Sequence, residues 1–146
     1  MVRLEHVNLV VKDINASMRF YQAAFPHWRV RGGGEQDWYG TLRNWVHFGD
    51  DDNYLTLNDR GEGENRELQS NRLGLGHFAF VVSNLDAIKW RLAGAGFDPA
   101  KPGADEPYRR NIYYIDPDGF EVEFVEYLSD LPEERNLYRQ TGVRLF

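Results

Sequence analysis

The sequence predicts an α+β fold in which two tandem βαβββ modules build a curved mixed sheet around a cleft. Three observations carry that expectation. Alternating segments at residues 4–12 and 76–82 each hold a histidine on the face opposite their apolar set, and each runs into capping residues and an amphipathic helix. The second half of the chain can be laid over the first so that His6 meets His77, Val10 meets Val81, Val11 meets Val82, Ala16 meets Ala87 and Ala24 meets Ala95. Asp116-Pro117-Asp118-Gly119 reads as a tight turn that releases a last alternating strand.

Residues 4–12 read as a strand with Val7, Leu9 and Val11 on one face and His6 and Asn8 on the other. Asp13-Ile14-Asn15 carries capping chemistry, and residues 16–25 read as a helix with Met18, Tyr21 and Phe25 on one face. Pro26 closes it. A second strand is expected at 28–31, ended by Gly32-Gly33-Gly34, and a hairpin at 44–49 and 54–58 about Asp50-Asp51-Asp52-Asn53. Residues 59–75, polar and bearing Glu62, Glu64 and Glu67, read as a linker. A solvated loop is the plain reading of it and a lid over a site the sharper one.

The pattern then restarts. Residues 76–82 are a strand with Phe78, Phe80 and Val82 on one face and His77 and Ala79 on the other. Ser83-Asn84 caps a helix over 85–95 that aligns Leu85, Ile88, Leu92 and Ala95, and Gly94 and Gly96 stop it. Strands are expected near 97–99, 110–115 and 120–127. In the last, Val122 and Phe124 point one way and Glu121, Glu123 and Val125 the other. One domain spans 1–146: module 4–58, linker 59–75, module 76–127 and a charged C-terminal extension 128–146 with helical character at 132–140.

The net charge of −6, with both signs spread along the chain, excludes the basic stripe of a nucleic-acid or anionic-membrane surface. There is no cysteine, hence no disulfide framework and no thiolate chemistry. The chain enters a strand without an apolar leader, and no apolar run approaches a membrane span; a cytoplasmic protein is expected. The aromatic content of 14% calls for a ligand cleft or an interface in addition to a core.

Two histidines and a carboxylate, His6, His77 and Glu123, thus each stand on the non-core face of a strand. Such a face is either solvated or holds a site. If the three strands are neighbours in one sheet, the side chains converge into a facial set for a divalent ion with positions left open. Glu121 shares the face of Glu123. His47 sits with Trp45 on the other parity from Val46 and Phe48, and reads either as facing the cleft or as an ordinary exposed strand residue. Arg110, in the pair Arg109-Arg110, reads either as solvated or as a clamp on an anionic substrate.

The βαβββ repeat, the two repeat-matched histidines and the run Asp116-Pro117-Asp118-Gly119 placed ahead of Glu123 resemble the vicinal oxygen chelate superfamily, which includes glyoxalase, extradiol dioxygenase, fosfomycin-resistance and bleomycin-resistance proteins. The resemblance covers residues 4–127. It implies the glyoxalase/dioxygenase-like fold and one divalent transition metal (Fe, Mn, Ni, Co or Zn) held in each chain by His6, His77 and Glu123. It also implies that Tyr54 replaces a fourth, glutamate ligand of glyoxalase I, and that Tyr113 matches a tyrosine lining the fosfomycin-resistance site. Tyr54, Tyr113 and Glu121 are the candidate catalytic residues, and Asn8, His47 and Arg110 the candidate substrate contacts. The expected activity is that of a metal-dependent lyase or isomerase, transferase or dioxygenase on a small oxygen-chelating substrate. The alternative is a ligand-sequestering module without catalysis. A homodimer is expected, with Val143-Arg144-Leu145-Phe146 contributing apolar surface.

Overall fold

A computed structural model describes residues 1–104 and 106–138, and the expected apolar terminus at 143–146 lies outside them. The chain runs β1 (His6–Val10), α1 (Ile14–Ala24), β2 (Arg29–Trp38), β3 (Thr41–Gly49) and β4 (Tyr54–Asn58). After the linker come β5 (Phe78–Val81), α2 (Leu85–Gly94), β6 (Lys101–Pro102), β7 (Arg109–Ile115), β8 (Glu121–Tyr127) and α3 (Pro132–Arg135). The strands form two four-stranded mixed sheets, ordered β1-β4-β3-β2 and β5-β8-β7-β6. In each, the module's first strand lies parallel to its last and the others are antiparallel. Among the described residues no helix is long and apolar enough to cross a membrane.

Local chemistry sets the helix ends. The Asp13 carboxylate accepts from the N–H groups of Asn15 and Ala16 at the start of α1, and Asn84 accepts from Ala87 N–H at the start of α2. The α1 face that is buried is Ser17, Phe20, Tyr21 and Ala24, with Phe25 buried just beyond it and Met18 only half-buried. That stripe is rotated slightly from the expected one. In α2, Leu85, Ile88 and Leu92 are buried as expected, while Ala95 is exposed at the C-cap.

The largest departure is β2. It does not end at the three glycines but runs through them to Trp38, with a register shift between Val30 and Gly32. A Cβ on Gly33 would lie 2.7 Å from the Trp45 carbonyl, so glycine here permits close pairing with β3 rather than breaking the strand. Tyr39 and Gly40 close the β2–β3 hairpin in two residues, both at positive φ (53° and 84°). A two-residue turn of that kind matches strand twist, and an exposed tyrosine tolerates the left-handed region at a cost of about 1–2 kcal/mol. The strand expected near 97–99 forms instead as the short β6.

Both sheets turn their apolar faces to one shared core. Leu9, Val11, Leu55 and Leu57 of the first module join Phe78, Ile112, Val122 and Phe124 of the second in a single cluster with both helices. Phe20 meets Phe97 edge-on at 4.9 Å, and Phe25 meets Phe80 at 5.1 Å. The Asp116–Gly119 turn is docked on the first module. The Tyr21 hydroxyl donates to Asp116 Oδ2 at 2.7 Å, Lys12 N–H to Asp118 Oδ1 at 3.0 Å and Ser17 Oγ to Asp118 Oδ2 at 3.4 Å. Burial raises the Asp116 carboxyl above its ordinary range despite the Tyr21 hydroxyl and the Phe120 and Asp118 N–H groups that donate to it. With the apolar faces shared, the histidine-bearing faces of the two sheets are left as the outer ones.

Candidate metal centre

In the second module His77 and Glu123 come together. His77 immediately precedes β5, and its Nε2 lies 3.0 Å from Glu123 Oε2 in the middle of β8. The other Glu123 oxygen accepts from Asn111 Nδ2 on β7 at 2.7 Å. The Glu123 side chain is 11% exposed and His77 is 41% exposed, so a buried carboxylate meets an imidazole that reaches the surface. Glu121 lies 3.9 Å from His77 Nδ1 and 2.9 Å from Lys101 Nζ. The Tyr113 ring stands edge-on to His77 at 5.3 Å, with Lys101 4.5 Å from its centroid. Burial, and then the nearby Glu123 charge, hold the Tyr113 phenol above its ordinary pKa.

The first module builds a different surface on the same template. His6 stacks on Tyr54 at 4.7 Å, Tyr54 on His47 at 4.5 Å, and the Arg31 guanidinium lies 4.3 Å from the Tyr54 centroid. Glu5 Oε1 is 3.0 Å from both His6 Nδ1 and the Tyr54 hydroxyl, and these two hydrogen bonds hold its carboxyl below the usual range. Burial, followed by the positive charges of His6 and Arg31, lowers the His47 pKa. Burial and the Glu5 hydrogen bond raise that of Tyr54. Asn8 accepts from Asn58 Nδ2 at 2.5 Å.

The structure therefore brings His77, Glu123, Glu121 and Tyr113 together, and separately His6, Tyr54 and His47. It does not unite His6 with the other two expected ligands inside one chain. Among the described residues no group of three or more His, Cys, Asp or Glu is placed to hold a metal ion. The expected convergence required one sheet; the chain instead forms two separate sheets that contribute to a common core.

Two residue assignments change. Arg110 lies on the face of Ile112 and Tyr114, opposite Asn111 and Tyr113, and is held by Asp86 at 2.7 Å and Glu126 at 3.3 Å. It is an α2-facing ion pair and not part of the cleft, because alternate strand residues face opposite sides. The counterpart of Glu123 in the first module is also not Tyr54. Asn8 is level with Thr56 as Ala79 is level with Glu123, so Thr56 occupies the Glu123 position and Tyr54 that of Glu121. Sequence reasoning missed Asn111, Lys101, Arg31 and Glu5. Parity alone places Asn111 on the face of Tyr113, but its contact with Glu123 depends on the β7–β8 register, which no single strand reveals.

The fold defines a protein built from duplicated βαβββ modules, each opening with a histidine on its outer sheet face. The chain belongs to the glyoxalase/bleomycin resistance protein/dioxygenase superfamily, whose sequence model matches residues 3–124. No curated protein matches it. Among solved structures, a glyoxylase/bleomycin resistance protein/dioxygenase domain from Frankia sp. EAN1pec is 24% identical with a TM-score of 0.70, covering 87% of this chain and 98% of that one. A glyoxalase family protein from Bacillus cereus is 15% identical with a TM-score of 0.71, covering 88% and 96%. A mutant of the fosfomycin resistance protein FosX from Listeria monocytogenes, complexed with Mn(II) and 1S,2S-dihydroxypropylphosphonic acid, is 20% identical with a TM-score of 0.67, covering 92% and 98%. At these identities the likeness is one of fold.

Proposed function

We propose that this chain is a divalent-metal-dependent enzyme acting on a small substrate that chelates through neighbouring oxygens, and that its metal centre is completed between two copies in a homodimer. His77 and Glu123 of one copy would hold the ion together with His6 of the other. The observation that carries this reading is the His77–Glu123 pair, a nitrogen and a carboxylate oxygen 3.0 Å apart on an outer sheet face. The donor set fits. Imidazole and carboxylate are ligands of Mn(II), Fe(II), Co(II), Ni(II) and Zn(II), and three protein ligands leave positions for substrate. The ion, when bound, supplies Lewis acidity toward the coordinated oxygens.

The remaining roles fall to side chains already on these faces. Tyr113, its phenol held protonated at neutral pH, donates a hydrogen bond to a substrate oxygen. His47 is kept neutral by its surroundings and is the acceptor best placed in the first module to take a proton. Arg31 offers positive charge to an anionic group, and Asn8 a polar contact beside His6. Glu121 is paired with Lys101 at 2.9 Å and lies 3.9 Å from His77 Nδ1.

The test is subunit complementation. His6→Ala and Glu123→Ala proteins each bind little Mn(II) alone. After mixing and subunit exchange, about a quarter of the wild-type sites return, because half the dimers are mixed and each mixed dimer keeps one intact site. No recovery, with the chain monomeric by light scattering, sinks the shared-site reading.

A further inference from the structure

The Glu123 carboxylate has two oxygens, and the chain treats them differently. Oε1 receives the Asn111 amide at 2.7 Å, whereas Oε2 faces His77 Nε2 at 3.0 Å. Asn111 lies on β7 opposite Val125, diagonal to Glu123. Its amide is hemmed in from behind. A Cβ on Gly103 would collide with Asn111 Oδ1, Cγ and carbonyl oxygen, so the bare Cα of Gly103 is what lets the amide lie where it does. Asn111 Oδ1 is itself buried with no hydrogen-bond donor. A buried acceptor left unsatisfied is costly, so this amide orientation is held by its one strong bond, the charge-assisted one to Glu123. The donor is neutral and leaves the charge of the carboxylate intact.

We propose that Asn111 is a positioning residue for the metal centre: it commits Glu123 Oε1 to the protein and presents Oε2 alone beside His77, with Gly103 as the backing that locks the amide. Glu123 would then offer a metal ion Oε2 alone, with Oε1 held by Asn111. The inference rests on the metal reading above, but it concerns a residue outside the ligand set.

The full-length apoprotein is titrated with Mn(II) by calorimetry, and the Co(II)-loaded form is followed by its visible spectrum. Asn111→Ala is expected to weaken Mn(II) binding about 10- to 100-fold, the range for residues that orient metal ligands. It should also change the Co(II) spectrum, as the carboxylate is freed to reorient, while the metal-free protein still unfolds cooperatively, with a thermal midpoint lowered only by the loss of one hydrogen bond. Gly103→Ala should reproduce the loss by displacing the amide, and the double variant should bind no more weakly than the worse single one, since both act through one contact. Wild-type Mn(II) affinity and an unchanged Co(II) spectrum in Asn111→Ala overturn this assignment alone. A wild-type protein that takes up neither ion overturns the metal reading and the assignment with it.

Discussion

The two modules are one template carrying two chemistries. Position by position, His6 answers to His77, Tyr54 to Glu121 and Thr56 to Glu123. The backbone plan is shared, yet the first module's outer face is a stack of rings under Arg31, and the second's is a pair of carboxylates steadied by Asn111 and Lys101. A duplicated sheet thus supplies equivalent positions without supplying equivalent sites. Two carboxylates, Glu121 and Glu123, stand beside His77 in the second module, against the single Glu5 beside His6 in the first.

The largest expected effect tests that asymmetry directly. Glu123→Ala should lower Mn(II) affinity beyond the roughly 100-fold that an orienting residue costs, because it removes a ligand. Thr56→Ala, at the matching position, should leave affinity near wild type. Equal losses in calorimetric titrations would mean that the modules contribute alike and would break the comparison. Thr56→Glu sharpens it: a second carboxylate at the matching position should tighten metal binding and exclude small chelators such as hydroxamates.

The next effect concerns the seam between modules. Tyr21→Phe removes the hydroxyl from buried Asp116 and should cost about 1–3 kcal/mol in denaturant unfolding. Asp116 also gives this seam a pH dependence. Its carboxyl is raised in the folded state, so the folded protein binds the extra proton. The resulting stability is fully present below about pH 4 and is lost as pH rises through the raised pKa. Asp116→Asn should remove that loss, so variant and wild type should converge in acid and part at higher pH. Parallel stability curves would show that Asp116 does not titrate in this way.

Smaller changes are expected where the structure separates a residue from the site. Tyr54→Phe should leave Mn(II) affinity almost unchanged, since the ring stacks on His6 and the hydroxyl binds Glu5. Arg110→Ala should change stability little, as exposed ion pairs do, and leave metal titrations unaltered.

Most of the fold was readable because alternation and capping are local. The β1 and β5 faces, the Asp13 and Asn84 caps and the β4 and β8 spans follow from neighbouring residues. What escaped depends on partners distant in sequence. Gly32-Gly33-Gly34 looked like a stop until Trp45 was seen lying against it. Arg110 looked available until α2 placed Asp86 beside it. Likewise, repeat matching identified His77 and Glu123 as candidates, but not how the sheets pack, which decides whether His6 can join them in one chain.

The docked turn at Asp116–Gly119 has a consequence for the order in which the molecule is made. Its contacts with Lys12 and Tyr21 span separations of 106 and 95 residues. During synthesis the first module emerges long before its acceptors exist, with Tyr21 and Phe25 facing a core that is still half-written. A nascent chain stopped short of Asp116 has no carboxylate for the Tyr21 hydroxyl, and long-range closures of this kind slow folding. The two modules are copies in plan, but the earlier one waits for the later one to finish it.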